Sequence, residues 1–448
     1  MRSNRSTGCS VALLLLAIAP SITLAADFSG PQVAGVPIEF VLFAIVLAGV
    51  ALFHAYVLPI AVVGAVVIAL YKIAISPFRT GSGVAGFVGH LEHEWVILVN
   101  LLLLLTGFAL LARHFEDSKV PDVLPRFLPD DWKGGFVLLA LVFVLSSFLD
   151  NIAAAMIGGA IAHTVFRGNV HIGYLAGIVA ASNAGGAGSV VGDTTTTMMW
   201  ISGISPLEVF EAYIAAGTAL VICGVLAARQ QDALQRIQRD ASPGAVVDWM
   251  RVGIVVLILG LAIVVNVVVN TRFHEISDGL PFLGAAVWVA ILIGATLRST
   301  QWTLLPGALK GAVFLLSLVL CASMMPVERL PAASWQAALG LGFLSAVFDN
   351  IPLTALAIKQ GGYDWGYLAY AVGFGGSMIW FGSSAGVALT GMYPDARAVG
   401  KWVGRGWHVA LAYVIGFFVM LSVVGFHPDA GPRAGSGPLQ QVHIAVRR

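Results

Sequence analysis

Two short stretches, LSSFLDNIAAA at 145–155 and LSAVFDNIPLT at 344–354, set an Asp-Asn pair inside runs that are otherwise apolar. A carboxylate at the centre of a bilayer costs about 2.5 to 3.5 kcal/mol on insertion scales, and residues of this kind mark ion or proton paths. Two further stretches carry glycine-rich interruptions, SNAGGAGSVVGDTTTT at 182–197 and GGSMIWFGSSAG at 375–386. At membrane depth an unpaired backbone amide costs several kcal/mol, so chain that leaves the helix there must line a cavity or be buried in protein. Asp193 is placed to cap a half-helix that begins over Asp193–Thr197. The carbonyl end of the preceding half-helix is expected near Ser182–Ala184.

Asp150, Asn151, Asn183, Asp193, Thr194, Thr195, Asp349 and Asn350, with the carbonyls around Gly185 and Gly186, are all hard oxygen or amide groups. Such a set suits a small cation, Na⁺ or a proton. None of the four clusters contains Lys or Arg, which weighs against a multiply charged anion, although half-helix ends with hydroxyls and amides can hold a carboxylate. Each residue also has a plainer role open to it, the aspartates as helix caps and the threonines bonded back to their own preceding turn. Recurrence argues for more. Asp150-Asn151-Ile152 falls on Asp349-Asn350-Ile351, and Gly185-Gly186 with Gly192 falls on Gly375-Gly376 with Gly382, in the same order. Matching glycine-interrupted segments in two halves are the sequence pointer to a transporter binding site.

The elements that must hold these residues are membrane helices. The chain has 448 residues, 58% hydrophobic and 10% charged, with a net charge of +1, which excludes a soluble globular domain and gives no basic stripe for nucleic acid. Continuous apolar runs such as Val57 to Leu70, Trp95 to Leu111 and Val409 to Val424 exclude a barrel, whose strands alternate in polarity. The expected organisation is a signal peptide or first membrane segment at 1–25, scaffold helices at 26–135, a first transport repeat at 136–228, a basic cytoplasmic linker at 229–250, scaffold helices and a second repeat at 251–425, and a polar tail at 426–448. Cys9, Cys223 and Cys321 have no metal-type spacing and are expected to be small packing residues. His90, Glu92, His93 and Glu94 are expected in a membrane-edge loop, and Ser205-Pro206-Leu207-Glu208 spells a capping box with proline at the first helical position.

In LSSFLDNI, ASNAGGAGSVVGDTTTTMMWI, LSAVFDNIPLTALAI and VGFGGSMIWFGSSAGVALTG the sequence resembles the NhaD-type sodium/proton antiporters. Their ion transporter superfamily also includes arsenite exporters and citrate or dicarboxylate carriers. The similarity runs from about Phe136 to Pro394; the first 135 residues match only as generic spans. The resemblance implies an all-α polytopic fold of about 10–12 spans, with two inverted repeats, each holding a re-entrant helical hairpin and a glycine-broken transmembrane helix. It also implies a homodimer and an elevator-like movement. Carried over, it makes Asp150, Asn151, Asp193, Thr194, Thr195, Asp349, Asn350 and Thr354 the ion site, with Ser377, Ser383 and Ser384 in the second break. The transported Na⁺ would lie on Asp150, Asp193 and Asp349. Ala153 and Ala154 depart from the hydroxyl residues usual after the first Asp-Asn, and Gly188 stands where many relatives have a large residue. The expectation is a multi-pass protein of the inner membrane exchanging Na⁺ or Li⁺ for H⁺, with no cofactor and no enzymatic activity. The alternative is an ion-coupled carrier of citrate, a dicarboxylate or an oxyanion on the same fold.

Overall fold

The computed structural model describes residues 31–429 apart from residues 34, 54–55, 124–127, 239–245 and 273–278. The expected leader at 1–25, Cys9, and the tail from residue 430 lie outside the described residues. Among the described residues, apart from a two-residue antiparallel ladder, Gln32–Val33 on Val36–Pro37, the regular structure is helical, that of an all-α polytopic membrane protein.

Among the described residues the first helices are α1 (Ile38–Leu52), α2 (Val57–Ala74) and α3 (Gly83–Asp117). Then come α4 (Trp132–Ser146), α5 (Asn151–Val165), α6 (Ile172–Ala187), α7 (Thr194–Ile201) and α8 (Ala212–Leu234). A second group holds α9 (Trp249–Arg272), α10 (Phe282–Leu297) and α11 (Leu305–Ser323). The last holds α12 (Trp335–Ser345), α13 (Asn350–Gln360), α14 (Trp365–Gly375), α15 (Ser384–Met392), α16 (Val399–Arg405) and α17 (Trp407–Val423). The order of α4 to α7 recurs in α12 to α15, as the polar clusters recur in the sequence.

Among the described residues four helical stretches are long and apolar enough to cross a membrane: Val57–Ala74, Gly83–Asp117, Pro206–Leu234 and Trp302–Ser323. The pair Val399–Arg405 and Trp407–Val423, bent by 56°, makes up to five. Against the expectation of about ten to twelve spans, these four or five are the ones that meet that length among the described residues, and shorter apolar helices stand beside them. Shorter apolar helices such as Trp132–Ser146 and Asn151–Val165 fall short of the roughly 20 residues that a 30 Å core requires. They stop short because their ends turn into the breaks that hold the polar clusters.

Two helices sit at the centre. Every residue of α6 and of α14 is buried, as their sequences allow: IGYLAGIVAASNAGGA and WGYLAYAVGFG are uncharged, mostly apolar and rich in small residues that admit close neighbours. α6 packs on α4, α5, α8 and α14, and α14 on α12. A second set, α2, α3 and α10 with α11, packs together beside them, and α11 also touches α13.

Several local expectations meet the structure directly. Ser205 accepts from the Leu207 amide and Pro206 stands at the first helical position. Cys223 and Cys321 are free and buried. His90, Glu92, His93 and Glu94 lie on the first turns of α3 and not in a loop. A 35-residue helix is about 52 Å long at 1.5 Å per residue and outruns the hydrocarbon core, so its polar turns need no loop. The region expected as a linker from residue 229 begins as the last turns of α8.

Candidate functional site

Four helix N-termini carry the polar clusters, and each is capped by its own side chain. Asp150 accepts from the Ile152 amide at 3.2 Å at the head of α5, and Asp193 from the Thr195 amide at 3.2 Å at the head of α7. Asp349 accepts from the Ile351 amide at 3.0 Å at the head of α13, and Ser383 from the Gly386 amide at 3.3 Å at the head of α15. Short acceptors at N-caps satisfy orphan amides, and the positive end of each helix adds to their attraction for negative charge. α6 runs through Ser182–Ala184 to Ala187 before it breaks, three residues beyond the expected end. The difference comes from packing: Gly185 lies against the Phe143 carbonyl, which keeps that turn helical and buried.

The side chains then join the two halves. Asn151 donates to Asn183 Oδ1 at 3.0 Å, and the Asn183 amide donates in turn to Ser377 Oγ at 2.9 Å and Ser383 Oγ at 3.1 Å. From the other side Asn350 reaches Asp193 Oδ2 at 3.5 Å, and Ser384 donates to Asp349 Oδ2 at 3.1 Å. Asn151, Asn183, Asp193, Asn350, Ser377 and Ser383 are all buried. Thr195 is fully buried, and its hydroxyl lies beside the Asp193 carboxylate, on which it bears.

The expected ligand Thr354 is committed elsewhere, and so are Thr196 and Thr197 of the same threonine run as Thr195. Thr354 bonds back to the Asn350 carbonyl at 2.9 Å. Thr196 and Thr197 bond to the Asp193 carbonyl, and also to the Ser189 and Val190 carbonyls of the break. The three aspartates do not meet as one cluster: among the described residues no group of three His, Cys, Asp or Glu side chains is arranged to hold a metal ion. Each carboxylate is turned back to the amides of its own helix, so Asp150 and Asp349 bear on Asp193 through space.

The structure adds residues to the site. Ser147 donates to the Gly185 carbonyl at 3.1 Å, Tyr213 Oη donates to the same oxygen at 3.1 Å, and Ser189 donates to the Ser147 carbonyl at 2.6 Å. The Tyr213 ring lies against Gly188, where a Cβ would come within 2.5 Å of it. The space beside Gly188 is thus taken by a ring from α8. In the second half Trp402 is fully buried and its indole donates to the Ser377 carbonyl at 3.4 Å. Ser147 and Ser189 were within polar clusters visible in the sequence. A single Tyr or Trp in an apolar helix carries no such signal.

Tyr213→Phe should keep the ring on Gly188 and lose one hydrogen bond, lowering stability by about 1 kcal/mol, whereas Tyr213→Ala should cost about 3 kcal/mol through the space left over the break. Thermal unfolding of the detergent-solubilised protein measures both. Equal losses would show that the ring packing contributes nothing.

No protein-family model matches the chain. It is 29% identical over 324 residues to the sodium/proton antiporter 1 of Arabidopsis thaliana, an alignment covering 64% of this chain and 53% of that protein. It is 26% identical over 362 residues to the Na(+)/H(+) antiporter NhaD of Vibrio parahaemolyticus, covering 67% of this chain and 84% of that protein. To the NhaD of Halomonas elongata it is 26% identical over 387 residues, covering 72% and 75%. The chain thus spans about half the length of the plant protein and three quarters or more of these two bacterial ones.

Proposed function

We propose that this chain is a Na⁺/H⁺ antiporter of the NhaD type, in which the cation and protons compete for the buried carboxylate of Asp193. The observation that carries the proposal is the convergence of helix N-termini from both halves on buried oxygen and amide groups: Asn350 against Asp193, and Asn183 between Asn151 and Ser377. The names of the relatives point the same way and do not favour the organic-anion alternative.

Competition alone gives no coupling. Exchange follows if the site crosses the membrane only when loaded, since moving a bare carboxylate through low dielectric is costly. The amides and hydroxyls around Asp193 supply oxygens that replace part of the hydration shell of a small hard cation. Asp150 and Asp349 keep the local field negative, so the site holds a proton or a cation in preference to nothing. In this scheme α4–α7 and α12–α15 are inverted repeats, each with a re-entrant hairpin and a broken helix. They move against a scaffold formed by the helices of 26–135 and by α9–α11. The linker at 229–250 is cytoplasmic, and the protein works as a homodimer in the inner membrane, as a carrier and not as an enzyme.

The test is a fluorescence measurement of the pH gradient in everted vesicles on adding Na⁺, Li⁺, K⁺ and citrate in turn. Na⁺ and Li⁺ should dissipate the gradient while K⁺ and citrate leave it standing. Because protons compete for the same oxygens, the apparent KM for Na⁺ should fall as pH rises. A response to citrate with none to Na⁺ would select the organic-anion carrier instead.

A further inference from the structure

The recurrence of the two halves is not complete where it matters most. Aligning Gly185-Gly186 and Gly192 with Gly375-Gly376 and Gly382 pairs Asp193 with Ser383, Thr195 with Ala385, and Asn183 with Gly373. The four related caps therefore present three carboxylates and one hydroxyl, and the surroundings of the odd pair differ throughout.

Around Ser383 the space is filled. The Asn183 amide donates to Ser383 Oγ at 3.1 Å and to Ser377 Oγ at 2.9 Å, and the neighbouring Ala385 brings a methyl group and no hydroxyl. Around Asp193 the arrangement is the reverse. Gly373 puts no side chain where its counterpart Asn183 puts an amide. A Cβ at Gly373 would lie 3.5 Å from Asp193 Oδ2 and 3.5 Å from the Ala187 methyl, with no other group outside its own helix nearer than 3.9 Å. The Thr195 hydroxyl is fully buried beside the Asp193 carboxylate, and Asp193 is the group it bears on. One position thus combines a carboxylate, a hydroxyl beside it and a glycine that brings no side chain; the other combines a neutral hydroxyl, a methyl group and an amide that fills the gap.

We propose that only the Asp193 position binds cation, with Gly373 as the residue that keeps it open, and that the related Ser383 position is closed by Asn183, so that one monovalent cation is carried per cycle. The glycine acts by omission. A side chain there would contact the carboxylate and take the volume that a partly dehydrated ion of Na⁺ size needs. Asn183 acts as a built-in occupant: its two amide protons hold the serines that would otherwise face a second ion, and a donor directed at those oxygens repels a cation.

This inference rests on the sodium reading above, and equilibrium dialysis with ²²Na⁺ on the purified full-length protein separates the two. Wild type should bind one Na⁺ per chain with a Hill coefficient of one. Gly373→Asn should weaken binding by at least about ten-fold, and Gly373→Ala, whose methyl group makes only ordinary contacts and therefore folds, by several-fold. The triple change Asn183→Gly, Ser383→Asp, Ala385→Thr should raise the stoichiometry to two. Two ions on wild type, or unchanged affinity in Gly373→Ala, overturn this proposal and leave the antiporter reading standing. No Na⁺ on wild type overturns both.

Discussion

Asp193→Asn should stop Na⁺-driven proton movement in everted vesicles while the protein still folds and reaches the membrane. The fold survives because asparagine caps a helix about as well as aspartate, so the bond to the Thr195 amide has a replacement. Exchange does not survive. A unit charge about 4 Å from a cation is worth about 4 kcal/mol at the effective dielectric typical of protein sites, which is on the order of 10³ in affinity. The neutral amide also has no carboxylate proton to exchange. Ser383→Ala, at the related cap, provides the contrast: it loses the bond to the Gly386 amide and the contact with Asn183, costing about 1 kcal/mol of stability with no loss of charge. Initial rates of gradient collapse measured for both variants against wild type, with expression matched, decide the matter. Wild-type rates in Asp193→Asn would remove Asp193 from the transport cycle.

The parts of this architecture that could be read in advance are those in which residue type conflicts with surroundings. Asp150, Asp193 and Asp349 stand out because a carboxylate in an apolar run has no cheap explanation, and their capping follows from local chemistry that needs no tertiary partner. The glycine interruptions stand out for the same reason. Other features depend on what arrives from distant sequence. The end of α6 is set by the approach of Gly185 to the Phe143 carbonyl, so the half-helix extends past the point that its composition suggests. Tyr213 and Trp402 join the site only because α8 and α16 fold back over the two breaks. His90 lies on a helix because α3 outruns the bilayer, and His90 Nε2 lies 3.0 Å from Ser323 Oγ of α11.

The asymmetry between the halves was present as letters, with Gly373 opposite Asn183 and Ala385 opposite Thr195. Its meaning appears only in three dimensions. In a string Gly373 is one of several glycines in VGFGGS; in the structure it is the glycine that faces Asp193 Oδ2. An absent side chain conveys nothing until its neighbours are known, which is why the most specific feature of the site was the least legible.

Gly185→Ala should be among the most destabilising single changes in the described chain. A Cβ at Gly185 would lie 2.0 Å from the Phe143 carbonyl oxygen, and one at Gly192 2.0 Å from the Ser146 carbonyl oxygen; in the second half Gly375 meets the Gly342 carbonyl at 2.2 Å. These are contacts between backbone and backbone, with no flexible side-chain end able to move aside. Relief requires α4 and α6, or α12 and α14, to separate along buried faces. Overpacking typically costs 1–3 kcal/mol, and with rigid neighbours the cost should reach or exceed about 3 kcal/mol. Gly217 and Gly260 supply the control, since a Cβ at either meets nothing within 4 Å. Alanine there should be neutral or stabilising by up to about 1 kcal/mol, because it lowers the entropy lost on forming α8 or α9. Thermal unfolding of the four alanine variants at 185, 192, 217 and 260 in one detergent should therefore divide them into two groups. The close backbone crossings also fix where the two breaks sit, so a Gly185→Ala protein that remains folded should have lost the alignment of Asp193 with Asn350 and, with it, cation exchange. Equal unfolding temperatures across the four variants would mean that the helices do not cross as closely as described.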